Sequence, residues 1–157
     1  MDTYKAINDT LVRLINEIWE VEGKAIITGE FQDITNNDMH IIEAIDLGDG
    51  NNMSTIAKKL NVTVGTLTSS MNSLVKKNYV ERYRSEEDRR VVYVRLTEKG
   101  AAAYHCHADY HHQMTLAVME KMTEDEIPVL MKMLEGLMGF FRGYSEQHGE
   151  KKQKVEK

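Results

Sequence analysis

The densest group of reactive side chains in this 157-residue sequence is a run of histidines around one cysteine, in the segment Ala103–His112. If the segment is helical, His107 and His111 lie four residues apart on one face, where their imidazoles could bind one Zn²⁺. His40 or a carboxylate from elsewhere in the chain would complete the ligand set. Helix histidines also serve as hydrogen-bonding groups at interfaces, so the spacing leaves metal binding as one hypothesis.

Cys106 offers a second chemistry, because it lies between His105 and His107 and could serve as a redox sensor. A lone buried thiol is the more common meaning of such a residue. As the only cysteine it cannot form a disulfide within the chain, which is typical of a cytoplasmic protein. The sequence contains no glycine-rich phosphate loop, nucleophile elbow or HExxH motif. We therefore expect no enzymatic activity.

A different chemistry is indicated between Val62 and Val80, a stretch without any acidic residue. If Leu67, Met71 and Leu74 face a core, helical spacing turns small polar side chains outward. Such side chains let a helix enter the major groove of DNA and reach base edges, while lysines meet phosphates. A plain surface or a protein-interaction module would usually carry acidic residues here too. The predicted DNA-facing residues are Gly65, Thr68, Ser69, Asn72, Ser73, Lys76 and Lys77.

The distribution of charge supports this interpretation, although the formal net charge of −5 taken alone argues against a nucleic-acid binder. Residues 1–53 carry a net charge of −8, residues 54–100 a net charge of +5 and residues 101–157 a net charge of −2. A basic middle third in an acidic chain gives one face that suits a polyanion. No apolar run is long enough to span a membrane, and no signal peptide is recognisable.

Apolar spacing and capping residues predict a mainly α-helical chain that positions these groups. The i, i+3, i+4 spacing of apolar residues predicts an amphipathic helix over residues 3–28. The polar stretch that begins at Thr35 offers the N-cap of a second helix, which Gly48 ends. Asn52 and Thr63 are predicted to cap a short third helix and a fourth helix.

Two β-rich runs, residues 79–84 and 91–96, are separated by six polar residues and predict a hairpin. Together with the two preceding helices they predict a winged helix-turn-helix over residues 35–100. An arginine at the hairpin tip can enter the minor groove, and Asp88 beside Arg90 can hold that side chain or simply close the turn. Further candidate DNA contacts on the hairpin are Arg84 and Arg89.

A long helix is predicted to follow Thr97, and Thr123 with Glu126 forms a capping box for a last helix. Pro128 should kink that helix or delay its start. Apolar residues in it repeat at the spacing of a helix–helix seam. The seam consists of Ile127, Leu130, Leu134, Leu137 and Phe141. The lysine-rich tail, residues 146–157, is predicted to be disordered.

The segment Val62–Gly100 resembles the winged helix-turn-helix of the MarR family of transcription regulators. Asp88-Arg89-Arg90 followed by Leu96-Thr97-Glu98-Lys99-Gly100 matches the family's D-x-R … L-T-x-x-G wing signature, and the resemblance extends over about residues 3–145. Within the family, the sequence is most similar to the FabT-type repressors of fatty-acid biosynthesis. The matches are DMHIIEAI at Asp38–Ile45, VTVGTLTSSMNSL at Val62–Leu74, SEEDRRVV at Ser85–Val92, and His107 with His111.

The resemblance implies a homodimer held by helical regions over residues 3–28 and 101–145, with two recognition helices in successive major grooves of a palindromic operator. It implies repression of fatty-acid biosynthesis genes, with long-chain acyl-acyl carrier protein as corepressor and no required cofactor. It also implies that Arg90 is a minor-groove arginine. The major-groove contacts that it implies are Thr63, Gly65, Thr66, Thr68 and Ser69.

Two other effector classes stay open from the sequence. One is a zinc-responsive MarR-type repressor that uses the His105–His112 cluster, and the other is a regulator that a small aromatic or lipid effector releases from DNA. The ten methionines would suit an adaptable acyl tunnel, but their helical spacing is more typical of a core or a dimer interface. An acidic carrier protein would dock near basic residues outside the DNA-facing surface. The candidates are Arg13, Lys24, Lys132 and Arg142.

Overall fold

A computed structural model describes residues 2–26, 29–86 and 90–155 of the chain. The described part is mainly helical and contains one small antiparallel sheet, as the sequence predicts. A 3-10 helix at Gly29–Phe31 precedes the second α-helix. The α-helices are α1 (Thr3–Ile26), α2 (Asn36–Ile45), α3 (Met53–Lys59), α4 (Val64–Lys76), α5 (Glu98–Met119) and α6 (Ile127–Val155), and the strands are β1 (Asn51–Asn52), β2 (Val80–Arg84) and β3 (Val92–Leu96).

The predicted N-caps are confirmed at three helices. At α2, the Thr35 hydroxyl accepts a hydrogen bond from the Asp38 backbone N–H, and the Asp38 carboxylate accepts one from the Thr35 N–H, at 3.1 and 3.0 Å. At α3 and α4, the side chains of Asn52 and Thr63 each accept a bond from the backbone N–H three residues further along. These bonds satisfy N–H groups that a helix leaves without partners in its first turn.

The three strands form an antiparallel sheet in the order β1-β3-β2. The predicted hairpin pairs β2 with β3, with Arg82 opposite Val94. Strand β1 is absent from the sequence prediction, because two asparagines have little strand propensity and pair only once the chain folds back. Gly50 makes that pairing possible, since its φ is +84° and a Cβ there would overlap the Val94 backbone.

The hydrophobic core lies among α2, α3, α4 and the sheet. Ile42 and Ile45 of α2 are fully buried, as are Ile56 of α3 and Val94 of β3. Helix α4 contributes Leu67, Met71 and Leu74, the three residues that its apolar spacing predicts. The opposite face of α4 is thereby held outward by packing, which fixes the surface that this helix presents to solvent.

The chain divides into two compact units, residues 1–111 and residues 112–157. The second unit consists of the end of α5 and helix α6. Thr123 donates its backbone N–H to the Glu126 carboxylate at 2.8 Å, and α6 starts at Ile127 with Pro128 in its first turn. Pro128 thus delays the helix rather than breaking it, because the first turn needs no N–H donor.

Helix α6 extends to Val155, which differs from the disordered tail predicted from residue 146. The tail is rich in Glu, Gln and Lys and lacks proline, so its residues favour a helix that continues from an existing one. No helix in the described ranges is both long enough and apolar enough to cross a membrane.

Candidate DNA-binding surface

Helix α4 presents the surface that the sequence predicts. Gly65, Thr68, Ser69, Asn72 and Lys76 are exposed, whereas Ser73 and Lys77 are half-buried, and Thr63 and Thr66 at the start of the helix are exposed. Between Val62 and Val80 this surface carries no acidic group. A helix whose exposed face is built from small polar side chains fits the width of a major groove.

The hydroxyl groups at the N-terminal end of α4 are held by local hydrogen bonds. Thr63 Oγ1 accepts from the Thr66 backbone N–H at 3.1 Å and lies 2.9 Å from Thr66 Oγ1. Thr68 Oγ1 donates to the Val64 carbonyl oxygen at 2.7 Å. Fixed rotamers reduce the entropy that a side chain loses when it contacts a ligand.

Arg82 of β2 joins the wing to α4, because its Nη2 donates to Asn72 Oδ1 at 2.7 Å. No function is predicted for Arg82 from the sequence, and Asn72 is predicted only as a DNA contact. This bond joins the exposed face of α4 to the first strand of the wing, the two elements that the DNA-binding prediction brings together. The alternation of β2 places Arg82 outward, but only the folded structure shows which side chain it meets.

The structure describes both strands of the wing up to residue 86 and from residue 90 onward. Arg84 closes β2 and is exposed, and Arg90 on the other side of the tip is exposed as well. The Ser85 backbone N–H donates to the Val91 carbonyl oxygen at 3.2 Å, which closes the base of the loop. Asp88 and Arg89, predicted as wing support and DNA contact, lie outside the described residues.

The two lysines at the end of α4 differ in their surroundings. Lys76 is exposed. The Lys77 ammonium group lies 3.4 Å from Asp38 Oδ2, within the capping box of α2, and its side chain is only 29% exposed. Both were predicted to contact phosphates, but the ion pair gives Lys77 a partner inside the fold. We retain Lys76 as the stronger candidate for a phosphate contact.

The base of the wing is fixed by the residues of the L-T-x-x-G signature. Thr97 Oγ1 donates to the Asn78 carbonyl oxygen at 2.6 Å and accepts from the Gly100 N–H at 3.1 Å, so it caps α5. A Cβ on Gly100 would overlap the Tyr79 carbonyl oxygen, and therefore only glycine lets α5 approach β2 so closely. The signature thus sets the junction of the wing with α5.

Tyr79 connects this junction to the loop before α2. Its hydroxyl donates to Asp33 Oδ1 at 2.5 Å, and Lys99 Nζ lies 3.3 Å from Asp33 Oδ2. The hydrogen bond from Tyr79, with a smaller effect of Lys99, lowers the pKa of the Asp33 carboxyl. Burial and the Asp33 carboxylate raise the pKa of the Tyr79 hydroxyl above its ordinary value.

The residues of the predicted seam lie on α6, in the second unit. Ile127, Leu130 and Leu137 are half-buried, whereas Leu134 and Phe141 are 44% and 50% exposed. In the first unit, α1 also exposes apolar side chains at positions that should be inward in an amphipathic helix. They include Ile7, Leu14, Ile15, Ile18 and Trp19. Large exposed apolar faces of this kind mark interaction surfaces.

The histidine cluster is only partly as predicted. His107 and His111 share a face of α5 and lie close to Glu22 of α1. His40, one of the two predicted ways to complete the ligand set, is not in this group, since its Nδ1 lies 3.3 Å from Glu43 Oε2. The carboxylate of Glu22 takes that place because the end of α1 approaches α5, which sequence spacing could not show. Cys106 is exposed.

Known proteins with similar sequences and folds are DNA-binding regulators. Residues 26–105 match the family model of the transcriptional regulator SarA/Rot. The HTH-type transcriptional regulator PchR of Bacillus subtilis is 24% identical over 148 residues, which are 86% of this chain and 87% of that protein.

Two structures solved with DNA are also similar to the chain. FabT of Streptococcus pneumoniae in complex with DNA has a TM-score of 0.80 and 37% identity, over 90% of this chain and 99% of that one. A cysteine-to-serine mutant of MarR from Escherichia coli with operator DNA has a TM-score of 0.57 and 27% identity, over 87% and 99%. The relatives are transcriptional regulators and not enzymes, which agrees with the absence of catalytic motifs. The chain therefore belongs to the SarA/Rot family of transcriptional regulators, DNA-binding proteins with the MarR-type winged helix.

Proposed function

We propose that this regulator represses fatty-acid biosynthesis genes, that it binds a palindromic operator as a homodimer, and that long-chain acyl-acyl carrier protein acts as its corepressor. The observation that carries the proposal is the likeness to FabT in complex with DNA, which covers 90% of the chain at 37% identity. The matching motifs lie in the winged helix and on α5, so they include both DNA-facing and internal residues.

The proposed DNA contacts are the exposed face of α4 and the wing. Thr63, Gly65, Thr66, Thr68, Ser69, Asn72 and Ser73 would face base edges in the major groove. Lys76 and Arg84 would contact phosphates, and Arg90 would enter the minor groove, where the potential is most negative. Because Arg82 holds Asn72, the wing and helix α4 should approach DNA as one rigid surface.

The proposed homodimer would cover the apolar faces of α1 and α6, which a monomer in water would leave exposed. We assign residues 3–28 and 101–145 to dimerisation and residues 35–100 to DNA binding. To bind both half-sites of a palindrome, the two α4 helices of such a dimer would have to lie about 34 Å apart, the separation of successive major grooves on one side of B-DNA. Sedimentation velocity should show a dimer at micromolar concentration, and a monomer there would exclude this arrangement.

The proposal that acyl chains are sensed is supported by the abundance of exposed methionine in the second unit, where Met131, Met133 and Met138 are each 46% to 66% exposed. Flexible thioethers adapt to irregular apolar ligands. Of the candidate docking residues for an acidic carrier protein, Arg13 and Lys24 form i, i+4 ion pairs on α1 with Glu17 and Glu20. Such exposed pairs are weak and can exchange partners.

The regulon is tested by sequencing the genomic fragments that the purified protein retains. We expect a shared palindrome with half-sites one helical turn apart, located upstream of genes for fatty-acid synthesis. The matched control is the Gly65→Ala variant, whose added methyl group stands on the DNA-facing side of α4. If the enriched fragments lie upstream of genes unrelated to lipids, the chain is a regulator of another pathway.

A further inference from the structure

Three side chains with metal-ligating atoms converge in the first unit. Glu22 lies near the end of α1, and His107 and His111 lie one turn apart on α5. Their ligand atoms are all within 4.8 Å of one another. Glu22 Oε1 is 3.6 Å from His107 Nε2 and 4.0 Å from His111 Nε2. Four donors at ~2.0–2.1 Å around Zn²⁺ are about 3.3 Å apart, so small side-chain shifts would bring all three to bonding distance.

His107 supplies an independent observation. Its side chain is 1% exposed, and its Nδ1 lies 2.8 Å from Glu43 Oε1. Its Nε2 is buried and has no hydrogen-bond partner among the described residues. Buried polar atoms are nearly always hydrogen-bonded, so this nitrogen, which faces a carboxylate and a second imidazole, is available to a metal ion.

Glu43 also favours one tautomer of His107. In a neutral His107, a carboxylate at hydrogen-bond distance from Nδ1 favours the proton on that nitrogen, which leaves the lone pair on Nε2. That is the tautomer a metal ion requires, and a carboxylate behind a ligating histidine is a recurrent arrangement in zinc sites. His40 Nδ1 lies 3.3 Å from Glu43 Oε2, so Glu43 is itself held from the other side.

We propose that Glu22, His107 and His111 bind one divalent transition-metal ion, with Zn²⁺ as the best fit, and that Glu43 is a positioning residue for His107. Two imidazole nitrogens and one carboxylate oxygen suit Zn²⁺, whereas Mg²⁺ and Ca²⁺ prefer oxygen donors alone. The fourth position would be taken by water. His111 is 40% exposed, which gives an ion a route from solvent to the buried Nε2 of His107.

The site would join α1 to α5, and through Glu43 it would also involve α2. None of its residues is among the proposed DNA contacts, and metal binding does not depend on the identity of the operator or of an acyl effector. A negative result for metal binding would therefore leave the fatty-acid proposal unaffected, and the reverse also holds.

The test is a titration of the chelator-treated full-length protein with Zn²⁺, in competition with a chromophoric chelator. We expect one Zn²⁺ per chain, and we expect His111→Ala and Glu22→Gln to weaken binding at least ~100-fold, since each removes a direct ligand. Glu43→Gln should weaken it by about 10- to 100-fold, as loss of an outer carboxylate does. The matched control is His105→Ala, an exposed histidine of the same helix outside the cluster, which should bind as the wild type does.

Two further measurements keep the result interpretable. Circular dichroism will show which variants are folded, and because Glu22 and His111 are only partly buried, their variants test the site even if His107→Ala unfolds. Co²⁺ in place of Zn²⁺ should give the visible absorption of a four-coordinate ion with nitrogen and oxygen donors. Failure of the wild type to bind Zn²⁺, or unchanged binding in both His111→Ala and Glu22→Gln, would overturn the proposal.

Discussion

Single side chains on the wing and on α4 have separable roles in DNA binding. Arg82 and Arg95 are engaged within the fold, the first with Asn72 and the second with Glu81 at 2.6 Å. Arg84, Arg90 and Lys76 are exposed cations that we propose as DNA contacts.

Replacement of Arg90 by alanine should weaken operator binding at least about tenfold, because an arginine in the narrow minor groove gains from its strongly negative potential. Fluorescence anisotropy with a labelled operator duplex measures the Kd. Arg13→Ala removes the same charge from the exposed face of α1 and should leave the Kd unchanged. Equal affinities of Arg90→Ala and the wild type would show that Arg90 at the wing does not contribute to operator binding.

Lys76 and Ser69 should affect DNA binding in different ways. Lys76→Ala should weaken binding to all sequences and reduce the slope of log K against log salt by about one, because one phosphate contact is lost. Ser69→Ala should leave that slope unchanged and reduce discrimination between the operator and random DNA by ~1–3 kcal/mol. Titrations at four salt concentrations separate the two. A salt slope that Lys76→Ala does not change would contradict a phosphate contact.

At the scale of elements, the glycines in the first turns of α4 and α5 serve different purposes. Gly65 lies in the first turn of α4, where an added Cβ would meet only Thr63 Oγ1 at an ordinary 3.8 Å. Gly100 lies in the first turn of α5 against the Tyr79 carbonyl oxygen. The first glycine is therefore compatible with a side chain in the free protein, and the second is not.

Gly100→Ala should reduce the free energy of unfolding by ~1–3 kcal/mol, because α5 must move away from the base of the wing. Gly65→Ala should leave it unchanged or raise it by up to ~1 kcal/mol, since alanine favours a helix. The same Gly65→Ala variant should bind the operator about tenfold or more weakly, because the methyl group separates α4 from the bases. Urea unfolding and anisotropy measure the two quantities. A stable Gly100→Ala variant would show that the close packing is dispensable.

The Asp33–Tyr79 hydrogen bond predicts how stability depends on pH. Because the pKa of Asp33 is lowered in the folded state, its ionised form stabilises the fold above the ordinary pKa of an aspartate, ~3.9. This stabilisation is lost as the pH falls through the lower, folded-state pKa. Asp33→Asn should therefore be less stable than the wild type at pH 7, and the difference should narrow as the pH falls below ~3.9.

Urea unfolding at several pH values measures this effect, with Glu17→Gln as the control for loss of an exposed carboxylate on α1. Asp33 is 47% exposed, so solvent screens part of the interaction. A difference between Asp33→Asn and the wild type that is constant from pH 7 to pH 3 would contradict the account.

Local features of the fold were predictable from the sequence, whereas contacts between distant segments were not. Thr35, Asn52 and Thr63 indicate where three helices begin, because an N-cap depends on only four consecutive residues. Strand β1 and the Asn72–Arg82 bond depend on how separate segments meet, and no local pattern specifies them. Glu22 is the clearest case, because it joins His107 and His111 across 85 or more residues of chain.

For the whole molecule, charge and apolar surface indicate two kinds of partner. Residues 54–100, which have a net positive charge, include the surface that we propose to face DNA, and the acidic remainder of the chain is repelled by DNA. The exposed apolar faces of α1 and α6 require a second copy or a ligand. In the proposed dimer, an effector that binds those helices would change the affinity for DNA by shifting the equilibrium between arrangements of the two winged helices.

The most direct test of this account is the anisotropy of a labelled operator duplex, titrated with the protein in chelated buffer with and without long-chain acyl-acyl carrier protein. We expect the acylated carrier to lower the Kd and the unacylated carrier to leave it unchanged. Weaker DNA binding in the presence of the acylated carrier, or an unchanged Kd, would contradict the corepressor assignment. If binding instead appears only when Zn²⁺ is restored, the Glu22–His107–His111 site is the sensor and the acyl carrier is not.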